Sequence, residues 1–265
     1  MLFPFPVAGR TLCALLVGLA SAGLSLSAVA QDSSGAVPNR ALTTIDSLRI
    51  NGDFDGALSR LTTLRDRRGN QVEILWRMSL TKVDSAKVTD NEDRVKTLYR
   101  DALTLADEAL AADSSSARAH YAKAVAEGRI ALDAGTKERV RRSRAVKQHA
   151  DRAIELDPAL DEPYHVRARW HREVDDLGFL ERVVVKTVYG GLPDASAEQA
   201  VRDFKRAIEL TDKRFHRLEL AKTYMQMDRE DEAQTELRTV LEMDPQGPFD
   251  QEYARQAKQL LKELR

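Results

Sequence analysis

Cysteine is almost missing from this chain: Cys13 is the only one, and it lies inside an apolar N-terminal run. That excludes an intramolecular disulfide framework, which a chain of this length has little need of, and any cysteine-ligated zinc site. Glycine is scarce, at 13 of 265 residues, and aromatic residues make up only 6%. No strand-like alternation of useful length is present, so a sheet protein is a poor fit. Neither sign of charge is in excess: 41 Lys and Arg stand against 42 Asp and Glu, a net charge of −1. A general nucleic-acid binder shows a basic excess, so none is expected here. Charged residues make up 31% of the chain, a share that suits amphipathic helices with one wet face.

Chemistry-bearing motifs are missing as well. The five histidines, His120, His149, His165, His171 and His216, form no HExxH pair. There is no GxGxxG, no phosphate-cradling Gly-Lys-Ser/Thr and no Gly-x-Ser-x-Gly elbow. Carboxylates pair with Lys or Arg at helical spacing, as solvated surfaces do. No enzyme, cofactor or metal centre is expected.

The N-terminus speaks to the compartment. Arg10 is the only charge among the first 30 residues, and an apolar run from Leu12 ends in Ala28-Val29-Ala30 before polar Gln31-Asp32-Ser33. A charged start, an apolar middle and a small-residue exit describe a secretory signal peptide over 1–30, cut after Ala30. The expected location is then outside the cytoplasm, in a periplasm. The alternative is retention, with residues 11–30 as a membrane anchor. Residues 31–39 read as a disordered polar linker.

Repeats dominate the remainder, 40–265. The clearest unit runs through Leu220-Ala221, Tyr224, Ala233, Leu237, Val240 and Pro245. These are the demands of a tetratricopeptide unit. Small residues sit where two helices cross closely, bulky ones fill the gap beside them, and proline stops the second helix. The second-helix pattern recurs at Gly52, Ala57, Leu61 and Leu64; at Ala102, Ala106 and Ala109; at Val146, Ala150, Ala153 and Pro158; and at Ala200, Phe204 and Ala207. Ala200 and Ala233 are 33 residues apart, near the usual period of about 34. The earlier intervals, from Ala57 to Ala102, Val146 and Ala200, are 45, 44 and 54 residues. Extra residues are therefore placed within 84–93, 130–139 and 176–194. Phe249–Leu264, with Tyr253, Ala257, Leu260 and Leu261 on one stripe, reads as a helix that covers the last open apolar face. The expected fold is all-α: a right-handed tetratricopeptide-like α-solenoid of about five helix pairs plus a C-terminal capping helix. Trp76 and Trp170 are expected to be buried on first helices.

From about Glu73 onward the sequence resembles the regulator of microtubule dynamics family. The resemblance is carried by Leu75-Trp76-Arg77, Ser116-Ala117-Arg118-Ala119-His120, Ser143, Val146-Lys147 and Ala153-Ile154-Glu155-Leu156-Asp157-Pro158. Its most discriminating stretch is Arg169-Trp170, Glu173-Val174, Leu177, Phe179, Arg182, Tyr189-Gly190, Pro193 and Ala195-Ser196. Ala168, Phe179 and Arg167 depart from the glycine, tryptophan and apolar residue usual there. The resemblance implies the same helical scaffold. Microtubule association belongs to the family's eukaryotic members and is not transferred to an exported chain.

Two segments are candidates for binding a protein or peptide partner. In the first, His165, Arg169 and Glu173 lie at one-turn intervals, with Arg172 and Asp176 beside them, so a polar stripe is expected to face the concave groove. The competing reading is a structural ion pair that ties the long insertion to its helix. In the second, Lys137, Arg139, Arg141, Arg142, Arg144 and Lys147 form a basic segment with few nearby acids. Together with the insertion 176–194 it supports an alternative function, binding anionic lipid headgroups or an acidic ligand with possible membrane-surface contact. A plain solvated helix face is the competing reading there.

Overall fold

The computed structural model describes residues 37–264, in which twelve helices and no strand are found. Five antiparallel pairs follow one another: α1 (Asn39–Ile50) with α2 (Phe54–Arg68), α3 (Val72–Lys87) with α4 (Glu92–Ala112), and α5 (Ala117–Leu132) with α6 (Thr136–Leu156). Then come α7 (Asp161–Asp175) with α9 (Ala197–Leu210), and α10 (Arg214–Gln226) with α11 (Glu230–Glu242). Helix α8 (Phe179–Tyr189) is inserted within the fourth pair, and α12 (Asp250–Glu263) covers the end. The signal-peptide region, 1–30, and residues 31–36 of the linker lie outside the described residues. Val37 already packs against the first core cluster.

The small residues of the repeat pattern do what their size allows. Ala57, Ala102, Ala106, Ala109, Ala150, Ala153, Ala200, Ala207 and Ala233 are all fully buried, letting neighbouring helices approach closely. Phe204, Leu61, Leu237 and Val240 fill the spaces beside them. Helix starts are set locally. Asp53, Asn91, Ser116 and Ser196 each accept a hydrogen bond from the backbone N–H three residues on, which satisfies one orphan donor of the first turn. Helix α6 stops at Leu156, just before Pro158.

The surplus residues of 84–93 and 130–139 are helical turns for the most part. Helices α4 and α6 each reach 21 residues, against 13 in α10 and in α11. The third surplus, 176–194, holds α8. Gly190 ends that helix in the left-handed region at φ +76°, and Gly191 follows at φ +82°, where a side chain would be strained. Arg144 of α6 donates to the carbonyls of Tyr189 and Gly191, pinning the insertion onto the third pair.

Both ends of the superhelix meet. Phe249, just before α12, stacks on Phe54 at the start of α2, with ring centroids 5.9 Å apart and planes 14° from parallel. Lys87 Nζ lies 4.4 Å from the centroid of the Phe249 ring. A side chain at Gly52 would come within 3.4 Å of Pro248. The five pairs thus curl far enough to bring the last turn against the first.

Candidate functional site

First helices touch first helices along the chain: α3 with α5, α5 with α7, α7 with α10, and α10 with α12. Their facing side chains make a continuous inner surface. Arg49 of α1 donates to Asp84 of α3 at 2.7 Å, and Lys87 meets the same carboxylate at 2.8 Å. Burial opposes the Asp84 charge, yet Arg49 and Lys87 hold its carboxyl below its ordinary value. Tyr121 of α5 has its phenol pushed far up, first by burial and then by Glu162. Burial, followed by Asp84, also raises Tyr253 of α12 to about 12. Several of these groups still touch water: the side chains of Arg49, Lys87 and Arg169 are 29%, 27% and 35% exposed. Desolvation is nonetheless the largest influence on each of the three. Groups that are ringed by protein and still wet line a concavity.

The first predicted segment lies on this surface, with different partners from those expected. Arg169 does pair with Glu173, at 2.7 Å, with side chains 35% and 50% exposed. Arg172 does not pair with Asp176. It crosses to α10 and donates to the Glu219 carboxylate at 2.6 Å and to the Glu219 carbonyl at 3.1 Å. The carbonyl and the carboxylate of Glu219 together engage both terminal nitrogens of Arg172. Burial opposes the Glu219 charge, but Arg172, Arg169 and Lys222 hold its carboxyl down at about 2. His165 faces inward to an aromatic cluster, edge-on to Phe204 and Phe215 at 5.3 and 4.8 Å.

His165 also ends a hydrogen-bonded relay that no spacing in the sequence announced. His165 Nδ1 and His216 Nδ1 are 3.0 Å apart, and His216 Nε2 is 2.8 Å from Asp161 Oδ2. The Asp161 carboxylate is an acceptor only, so His216 donates through Nε2 and accepts at Nδ1 from His165. Among the described residues His216 is the one hydrogen-bond partner of the His165 ring. The relay ties the first turn of α7 to α10. Among the described residues no group of three His, Cys, Asp or Glu is placed to hold a metal ion.

The basic segment is largely consumed by the fold. Arg139 donates to the carbonyls of Ala131, Leu132 and Ala134, capping the end of α5. Arg141 pairs with Glu138 at 2.6 Å. Arg142 joins Glu127 of α5 in an ion pair whose side chains are 12% and 6% exposed. Lys147 binds Asp151 at 2.6 Å. Glu127 and the helix-end carbonyls belong to other elements, so counting acids near 137–147 in the sequence missed them. Among the described residues no helix is long and apolar enough to cross a membrane.

Every histidine is held neutral by burial first of all: His120, His149, His165, His171 and His216 all have lowered pKa values, His149 at about 4. His149 shares a 2.8 Å Nδ1–Nδ1 contact with His120, which needs one ring to accept. A lowered histidine pKa means that the unfolded chain takes up protons first, below about pH 6.5. Stability should therefore fall as the pH drops from 6.5 toward 4. The part due to His149 is about 1–2 kcal/mol at pH 5 after discounting its partial exposure. Glu219 adds an acid-side loss only between about pH 4.5 and 2. Urea denaturation at pH 7.5 and 5 checks this, and His149→Gln should flatten the difference.

Comparison with known proteins agrees with this architecture. The profile of a family described as regulator of microtubule dynamics protein 1-3 matches residues 41–265. Regulator of microtubule dynamics protein 1 of Bos taurus is 28% identical over 190 residues, 70% of this chain and 59% of that one. Regulator of microtubule dynamics protein 3 of Xenopus laevis is 28% identical over 143 residues, 54% of this chain and 31% of that one. The chain thus spans less than two thirds of either relative. A solved thermophilic TPR protein of Thermus thermophilus superposes with a TM-score of 0.60, at 20% identity, over 84% of this chain and 98% of that one. With a tetratricopeptide-like fold in place and the match running through nearly every described helix, the chain belongs to the regulator of microtubule dynamics protein 1-3 family.

Proposed function

We propose that this protein is a non-catalytic scaffold whose inner face holds an extended, acidic segment of a protein partner. The observation that carries the reading is spare donor capacity on that face, at Arg129 and at the Nε of Arg169. Arg129 of α5 stands within electrostatic reach of Lys87 and Tyr253. Nearly all other inner-face cations are paired, yet Arg129 has no hydrogen-bond or ion-pair partner among the described residues. Arg169 Nε is buried without an acceptor, its nearest carboxylate oxygen, on Glu219, standing 3.6 Å away. An acidic segment brings acceptors to a face with donors to spare. Contact between the two ends of the superhelix narrows the way in, which favours an extended segment over a folded domain.

The test is co-purification of the tagged mature chain from its own host, beside an Arg129→Glu variant. A partner retained by the wild type, lost from the variant and released by salt supports the reading; equal retention by both sinks it. Arg169→Ala should weaken the same partner; its exposed pair with Glu173 is worth about 1 kcal/mol at most, and any larger loss reports its contact with the buried Glu219 carboxylate. A thermal melt measures that loss.

Export belongs to the same proposal. The mature protein should begin at Gln31, and intact-mass measurement of the protein from its host would show residues 1–30 missing. The anionic-headgroup reading has less support: of the cations within 137–147, only Lys137 is left without a partner among the described residues. Microtubule association is not proposed for an exported chain.

A further inference from the structure

Between α6, α7 and α9 lies an open pocket of about 270 Å³. It is lined by Lys147, Arg167, His171, Gln199, Arg202 and Asp203. We propose that this pocket is an oxyanion site that takes a phosphate group, free or as a small phosphomonoester.

The argument is a count of donors and acceptors. The Asp203 carboxylate is fully engaged by Arg167, whose Nε and Nη2 each reach one of its oxygens at 2.7 Å. Asp151, beside the pocket, accepts from Lys147 at 2.6 Å and from Arg167 at 3.1 Å. Both carboxylates are paired, with two donors each. Donors remain in surplus. Among the described residues, exposed Arg202 has no partner, and the Gln199 carboxamide has none. Lys147 gives one of its three N–H groups to Asp151 and keeps the others. The His171 ring is the sharpest case. It is only 4% exposed, neither of its nitrogens bonds to any described protein group, and Nδ1 is sealed from water without a partner. With Nδ1 sealed, the unpartnered Nε2 is the ring nitrogen that can meet a ligand in the pocket. Three cations against Asp203 and neighbouring Asp151 leave the pocket and its surroundings one unit positive.

A single water takes up about 30 Å³ and brings donors as well as acceptors. It is too small for this volume and does not answer a surplus of donors. A tetrahedral oxyanion brings acceptors on every side and a charge matched to Arg202 and Lys147. The arrangement is also absent from the sequence pattern: Lys147, His171 and Arg202 come from three helices and share no motif. Arg167 takes both local carboxylates and leaves the other donors free.

Calorimetric titration of the mature protein with inorganic phosphate and with glycerol phosphate tests the site, using sodium chloride at matched ionic strength as the control. Saturable heat is expected with phosphate and not with chloride. Arg202→Ala should weaken binding about tenfold while leaving the melting temperature of the unliganded protein unchanged, because Arg202 is exposed and unpaired. Tighter binding of the ester assigns the site to phosphomonoesters, and equal binding assigns it to free phosphate. A second readout uses sulfate, whose charge is constant near neutrality. Burial is the largest influence against the His171 imidazolium; Asp203 and Asp151 favour it, and Lys147 and Arg167 disfavour it. Arg202 lines the same pocket, and a bound dianion would offset these cations. Affinity for sulfate should rise from pH 8 to pH 6, with the His171 nitrogen resonances moving on saturation. No saturable heat, equal heat from chloride, full affinity in Arg202→Ala, or unmoved His171 resonances would each overturn the proposal.

Discussion

Trp170→Ala is expected to destabilise the protein by about 3–5 kcal/mol, the usual loss when a large buried aromatic is emptied. Trp170 sits on α7 at 4% exposure, where the third and fourth pairs meet. Its indole Nε1 donates to both the carbonyl and the Oγ of Ser143 on α6, each at 2.9 Å. Lys147 stands 5.5 Å from its ring, and His171 packs edge-on at 5.1 Å. Removing the ring leaves a cavity and also takes away the donor that ties α7 to α6. Trp170→Phe keeps most of the apolar volume and loses the hydrogen bond, so it should cost clearly less, about 1–2 kcal/mol. Urea melts of both variants separate the packing loss from the polar one. A Trp170→Ala cost below about 1 kcal/mol would mean that the α6–α7 contact is not part of the stable core.

Asp161→Ala should cost about 3 kcal/mol, through stranded partners rather than lost packing. Asp161 is 6% exposed in the first turn of α7 and gathers three donors from the start of the next repeat. Thr211 Oγ1 reaches it at 3.1 Å, Lys213 Nζ at 2.6 Å and His216 Nε2 at 2.8 Å. His216 has no exposure of its own, so losing the carboxylate leaves a sealed N–H without an acceptor. Burial opposes the Asp161 charge, yet His216 and Lys213 hold its carboxyl well below the usual carboxylate range. This contribution is complete above the unfolded value near pH 4 and fades only as the pH falls toward the lower folded one. The double variant Asp161→Leu with His216→Leu removes the stranded donor along with its acceptor. It should be less destabilised than the two single changes added together. Strict additivity in denaturant melts would show that the two residues are not coupled.

These two residues differ in how readable they were. Trp170 shares an apolar stripe with Val166 and Val174, so its burial followed from helical periodicity alone. Asp161 carried no such signal, because its partners lie some 50 residues away across a repeat boundary. The same division runs through the candidate site. Arg169 and Glu173 were found as a one-turn pair, and they form it. Arg172 chose Glu219, 47 residues on, over nearby Asp176. The basic segment looked unbalanced because Glu127, which neutralises Arg142, sits on the preceding helix.

What the sequence determined by itself is the five helix pairs, the places where they cross and the capping element; α8, within the 176–194 surplus, appears only in the structure. Small and bulky residues repeat at intervals of three and four, and caps act within a few residues, so each unit is written in its own segment. Only the tertiary structure decided the partners of the charges and the closing of the two ends. Each helix crossing adds a small rotation, and those rotations accumulate along the solenoid. Phe54 and Phe249 meet only because of that sum, which no single segment contains.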